Sequence, residues 1–189
     1  RQVSALAWGV GCAVAVVGVV GVALVMARWR SLETHAARAE RASRPAALWD
    51  ADLVYMERMF RISTPVGLVA KLDRAYRLPS GLIVLVELKT RWSNQPLQSD
   101  VIQLSAQRMA MIGQTGHSVA SHGYVMVKAP TRRALPIAHR VQLMTDEQVV
   151  TLVRRREDIL AGQVLPRWPL SRKTCLTCAF RAQCDYPHL

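Results

Sequence analysis

Gly67-Leu68-Val69-Ala70-Lys71-Leu72-Asp73 runs on to the turn Pro79-Ser80-Gly81, and the chain climbs out of it through Leu82-Ile83-Val84-Leu85-Val86-Glu87-Leu88-Lys89. Two β-rich runs flank a Pro-Ser-Gly loop, and hairpin loops of that length place Gly in the left-handed position. Folding about Ser80 sets Asp73 across from Glu87, since both lie equally far from the pivot. Cross-strand partners sit about 4.5–5.5 Å apart, close enough for two carboxylates to share a divalent cation. Lys89, two residues past Glu87, projects from the same face of the strand. An Asp, a Glu and a Lys on one sheet face are usually a solvated surface with ion pairs. Here, however, Glu87 and Lys89 interrupt the apolar run that begins at Leu82, the pattern of a strand buried on both faces. A carboxylate there is costly unless it is paired or metal-bound. The trio therefore reads as a metal-dependent phosphodiesterase site.

Outward from the hairpin, Asp50 to Ile62 carries Leu53, Met56, Met59 and Phe60, a spacing closer to a helix than to a strand. Val101, Leu104, Met111 and Ile112 predict a helix over Gln98–Gln114, closed by Gly113 and Gly116. Gly123–Lys128 and His139–Met144 read as strands. Thr145-Asp146-Glu147-Gln148 is a capping box that opens a helix to about Ala161. Helix, hairpin, helix, strand, strand, helix is the order of an α/β sandwich, and the chain is long enough to bury one core.

Ala5 to Ala27 holds no charged residue. As a helix it would span about 34 Å, more than the ~30 Å hydrocarbon core of a bilayer. A signal peptide's apolar region is usually shorter, about 7–15 residues. Trp8 and Trp29 lie near its ends, and Arg28, Arg30, Arg38, Arg41 and Arg44 follow, against Arg1 alone on the other side. The positive-inside rule then puts the C-terminal portion in the cytoplasm. The predicted organisation is a transmembrane anchor over 1–30, an Ala- and Arg-rich helical juxtamembrane linker over 31–48, a core over 49–165 and a cysteine-rich tail over 166–189. The net charge of +12 suits a polyanion or an anionic membrane surface.

That tail carries Cys175-x2-Cys178-x5-Cys184. An odd number of cysteines makes a poor disulfide set, whereas thiolates bind zinc and iron–sulfur clusters strongly. His188, in a Cys-x3-His spacing, is positioned to complete a Cys3His zinc site. The remaining cysteine, Cys12, sits inside the apolar N-terminal segment.

Asp73 followed by Glu87-Leu88-Lys89 resembles the PD-(D/E)xK nuclease signature, with Leu72 in place of the nominal Pro. Gly67-x5-Asp73 with Val86-Glu87-Leu88-Lys89-Thr90 resembles the RecB-like branch that includes the CRISPR-adaptation exonucleases. Asp100-Val101-Ile102-Gln103 fits the Gln-x3-Tyr element of that branch, although Gln107 stands where the Tyr is expected. The resemblance covers roughly residues 55–185. It implies a restriction-endonuclease-like core, a central mixed sheet flanked by helices, with DNA as substrate. Asp73 and Glu87 would hold Mg2+ or Mn2+, helped by the backbone carbonyl of Leu88. Lys89 would stabilise transition-state charge, and Gln103 would hydrogen-bond the DNA backbone. A further ligand comes from an upstream helix in such enzymes; Glu57 is the first candidate here and His35 the second. Arg74, Arg91 and Trp92 border the hairpin and could grip DNA by phosphate contacts and stacking. An iron–sulfur cluster on the C-terminal cysteines is also implied, but it needs a distant fourth cysteine, so cluster and zinc both stay open. The expected function is a membrane-anchored, divalent-metal-dependent deoxyribonuclease, an exonuclease by the branch it resembles. The alternative is a catalytically inactive, membrane-tethered nucleic-acid-binding or assembly protein.

Overall fold

The computed structural model describes residues 25, 26, 28, 37–167, 169, 172–176, 178, 179 and 181–184. In chain order the elements are β1 (Asp52–Ile62), β2 (Leu68–Arg77), β3 (Ile83–Thr90), α1 (Gln98–Thr115), β4 (Val119–Lys128), β5 (Ile137–Gln142) and α2 (Asp146–Leu160). A 3-10 turn at Ala46–Leu48 precedes them, and short helical pieces at Arg172–Leu176 and Arg181–Gln183 follow. The hairpin forms as its turn residues dictate. Gly81 takes a φ of 85° and donates its N–H to the Leu78 carbonyl at 2.8 Å, while the Leu78 N–H donates to Leu82 at 2.9 Å. Arg77 then pairs with Ile83, Tyr76 with Val84, Ala75 with Leu85 and Arg74 with Val86, the register centred on Ser80.

The five strands lie in sequence order, β1-β2-β3-β4-β5, in one mixed sheet. Only β3 and β4 run parallel; the other neighbours are antiparallel. A parallel pair needs a long crossover, and α1 supplies it. As the apolar run predicts, Ile83 to Glu87 is buried without interruption, so both faces of β3 are covered. On one face Leu104, Ala110 and Met111 of α1 pack against Phe60, Leu72, Leu85 and Val125. The second helix, α2, packs outside α1 through Val149 against Met109. It opens on the expected capping box, with Thr145 Oγ1 accepting from the Gln148 N–H.

The other face is covered by residues expected to form the linker. Residues 37–42 are helical and the helix ends before Pro45, as predicted, yet this segment is packed against the sheet. Leu48 and Ala51 are buried against Tyr76, Val84, Val86 and Met126. Glu40 accepts Arg44 Nε and Nη2, both at 2.7 Å, and the Tyr76 hydroxyl at 2.5 Å. Arg44 Nη1 donates to the Ala51 carbonyl at 2.7 Å. Burial raises the Glu40 carboxyl, but the hydrogen bonds from Arg44 and Tyr76 outweigh it and hold the group below its ordinary range. Burial, helped by Glu40, pushes the Tyr76 hydroxyl up to about 12.

The helix expected over Asp50–Ile62 is instead strand β1. Met56 and Met59, half of the supposed apolar stripe, are exposed, and Phe60 is the strand's one buried side chain. An edge strand bonded along one side to β2 does not have to bury a continuous stripe, so the helical spacing was coincidental. Among the described residues no helix is long and apolar enough to cross a membrane. The anchor expected over 1–30 lies outside the described residues, apart from 25, 26 and 28.

Candidate active site

The site forms where the ladder between β2 and β3 stops. The last pair is Arg74 with Val86; one step further the same register sets Asp73 across from Glu87. There the Leu88 N–H is taken by a side chain, Asp73 Oδ2, at 2.8 Å. Glu87 is 2% exposed. Its Oε1 accepts Lys89 Nζ at 2.7 Å and Gln103 Nε2 at 2.6 Å, and its Oε2 accepts Gln107 Nε2 at 2.8 Å. Lys89 Nζ also donates to Gln103 Oε1 at 2.8 Å. The shell follows from helix geometry, because Gln103 and Gln107 are four residues apart and share one face of α1.

Burial pushes the Glu87 carboxyl up, and the nearby Asp73 adds to the shift; the hydrogen bonds from Lys89 and Gln107 oppose it without reversing it. Two carboxylates that repel one another, with hard oxygen donors, are a fit for a divalent cation. Mg2+ usually keeps several waters and binds through one or two carboxylates, so Asp73 and Glu87 suffice in number. Among the described residues no group of three His, Cys, Asp or Glu is arranged to hold a metal.

The remaining predicted residues are dispersed. Glu57 is on a strand, not a helix, and takes a φ of 51°. It is ion-paired with Lys71. The pairs Met56–Arg74 and Arg58–Leu72 bracket it, so Asp73 is its cross-strand neighbour. Arg74 turns to the other layer, donating to Ser43 Oγ at 2.7 Å. Arg91 is committed within the fold: it grips Asp100 through Nη1 at 3.1 Å and Nη2 at 2.6 Å and also bonds the carbonyls of Ser93 and Gln95. Neither arginine is placed to grip DNA from the hairpin. Trp92 is 75% exposed.

Cys175 and Cys184 are half-buried, Cys178 is exposed, and none is in a disulfide. Successive turns wind this segment, with Cys178 N–H on the Cys175 carbonyl and Cys184 N–H on that of Arg181. His188, His35 and Cys12 lie outside the described residues.

Sequence reasoning gave Gln107 and Asp100 no role. Gln107 looked like a departure from the expected Tyr; it is 1% exposed and bonded to Glu87. A Gln one turn beyond Gln103 on an otherwise apolar helix face was the available signal. Asp100, 2% exposed, anchors the start of α1 by accepting the Leu97 N–H at 2.8 Å and the Arg91 fork.

A mixed sheet crossed by α1, with paired acids and a lysine where two central strands part, defines a nuclease-type α/β core. The chain belongs to the PD-(D/E)XK nuclease superfamily, whose family model matches residues 18–185. No curated protein matches it. Among solved structures it is similar to SSO0001, with 21% identity, a TM-score of 0.47 and coverage of 71% of this chain and 60% of that one. It is also similar to a "Putative exonuclease" from Eubacterium rectale, with 14% identity, a TM-score of 0.45 and coverage of 75% of this chain and 63% of that one. The chain thus spans less than two thirds of the length of either.

Proposed function

We propose that the protein is a membrane-anchored, divalent-metal-dependent deoxyribonuclease that acts as an exonuclease. The observation that carries the nuclease reading is the buried Glu87, bonded to Lys89 and set across from Asp73 at the end of a central strand pair. Asp73 and Glu87 would hold Mg2+ or Mn2+, with the Leu88 carbonyl as a further ligand; Glu57, the cross-strand neighbour of Asp73, would join them only by leaving its ion pair with Lys71. When bound, the cation would polarise the scissile phosphate and activate a water. Lys89 orients that water and offers its ammonium to the charge that builds on the phosphate oxygens. Gln103, which already contacts both Lys89 and Glu87, hydrogen-bonds the DNA backbone beside them. Trp92 gives a base a stacking face. The uncharged N-terminal segment and the arginines after it support a single-pass anchor with this core in the cytoplasm. The Cys175-x2-Cys178-x5-Cys184 spacing supports a zinc or iron–sulfur clamp on the tail, with its fourth ligand outside these cysteines; the three thiols are not gathered around one point here, so binding would have to draw them together.

The test is DNA cleavage by the full chain in detergent, with and without Mn2+. Cleavage is expected only with the cation. Glu87→Gln and Asp73→Asn should each abolish it while the protein stays folded, since an amide keeps the shape but loses the anionic ligand. Lys89→Ala should lose turnover more than cation affinity. Undiminished cleavage in either acid variant would remove this site from the mechanism.

A further inference from the structure

Gln107 is an unusual choice for its position. It is 1% exposed among Leu104, Ala110 and Met111, and its Oε1 is buried without a partner. A Met or Leu would fill the space without stranding a polar atom. The orientation of the amide is nevertheless fixed. Its nitrogen lies between two acceptors, the Lys71 carbonyl and Glu87 Oε2, both at 2.8 Å. Exchanging nitrogen and oxygen would set an oxygen against both. The residue thus tolerates an orphaned oxygen in order to aim both its N–H groups, one of them at Glu87.

We propose that Gln103 and Gln107 are positioning residues that clamp the two oxygens of Glu87 from one helix face, so that Glu87 offers a cation a single oxygen, Oε2, and the site favours Mg2+ over Ca2+. The inference rests on the metal-site reading above. An ionised carboxylate has about four lone-pair sites, two on each oxygen. Lys89 and Gln103 occupy both on Oε1, and Gln107 occupies one on Oε2. One remains, on Oε2. Pinned at both ends, the group does not turn to give both oxygens to one ion. Mg2+ accepts this, because it binds few protein ligands in octahedral geometry. Ca2+ takes six to eight oxygens and commonly draws a carboxylate in through both of them.

Calorimetric titration of the full chain in detergent with Mg2+ and with Ca2+, alongside thermal melting, tests the clamp. The wild type should bind Mg2+ at least as tightly as Ca2+. Gln107→Met keeps the volume but removes both N–H groups; its Mg2+ affinity should fall about tenfold, the scale on which outer-shell partners act, while Ca2+ affinity holds. Leu104→Ala, a cavity in the same helix, should lower the melting temperature and leave the Mg2+/Ca2+ ratio unchanged. A Gln107→Met protein that melts lower with an unchanged ratio overturns the proposal. So does a wild type that prefers Ca2+, a result that stands even if the variant does not fold. A wild type that binds neither ion, or a Glu87→Gln protein that binds Mg2+ undiminished, overturns the metal-site reading itself.

Discussion

Glu57 holds a backbone conformation that L-residues avoid, at a φ of 51° in the middle of an edge strand. The left-handed region costs a non-glycine residue roughly 1–2 kcal/mol, and such strain tends to persist where function requires it. Its ion pair with Lys71 is no compensation, as both side chains are more than half exposed and surface pairs contribute little. Glu57→Gly should therefore stabilise the fold, by up to about 1 kcal/mol after the added freedom of the unfolded chain is offset, and should lower Mg2+ affinity. Glu57→Ala keeps the strain and should lose only the affinity. Chemical denaturation together with cation titration separates the two. A Glu57→Gly protein that binds Mg2+ undiminished would remove Glu57 from the ligand set. At this scale the sequence was legible where local geometry decides. Ser80 as pivot and Gly81 as the left-handed residue were enough to pair Asp73 with Glu87. Glu57 was not legible, because nothing in residue spacing shows a local φ. Gln107 was hidden by comparison with a Tyr, although a buried amide and a phenol can each donate to a carboxylate.

Elements position the site through their ends as much as their faces. The start of α1 is fixed by Asp100, which binds Arg91 at the exit of β3 and so ties the strand that carries Glu87 to the helix that carries Gln103. Burial raises the Asp100 carboxyl, but hydrogen bonds from Arg91 and the Leu97 N–H outweigh it and hold the group below its ordinary range. Its contribution to stability is thus fully present above the unfolded carboxyl pKa, about 3.9, and is lost as pH falls through the lower folded value. Asp100→Asn should cost about 3–5 kcal/mol at neutral pH, because it leaves a mostly buried guanidinium without its counter-charge. Denaturant titrations should also show that the variant's stability falls less steeply in acid than the wild type's. Equal acid slopes would place the acid sensitivity elsewhere. The elements themselves were mostly readable: the apolar run announced β3, the helical spacing α1, and the capping box α2. The exception was β1, where exposed methionines imitated a helical stripe. Periodicity assumes that apolar residues are buried, and at a sheet edge they need not be.

The molecule as a whole is closed on its second face by residues ahead of the first strand. Leu48 is 2% exposed against that side of the sheet, so Leu48→Ala should cost about 2–5 kcal/mol, read as a lowered melting temperature. A chain beginning at Ala51 would lose Leu48 and the Glu40–Arg44 pair, leaving the Tyr76 hydroxyl buried without its acceptor. It should fail to melt cooperatively, whereas a chain beginning at Ser31 should fold. Equal melting of the two would show that the face needs no cover. This role was not legible in composition, because an Ala- and Arg-rich helix reads as a solvated linker until Glu40 is seen meeting Tyr76 across the fold.

The mixed pairing of β3 also orders events in time. Its antiparallel edge closes through a tight turn, a contact between near neighbours in the chain, and such contacts form early. Its parallel edge with β4 closes only after the chain has passed through all of α1, and the loop entropy of that long connection must be overcome first. Asp73 and Glu87 therefore meet in the nascent hairpin, while Gln103 and Gln107 arrive with the docked helix. The acids are assembled before the groups that aim them, so a chain still folding holds the charged pair of the site without the amides that orient it.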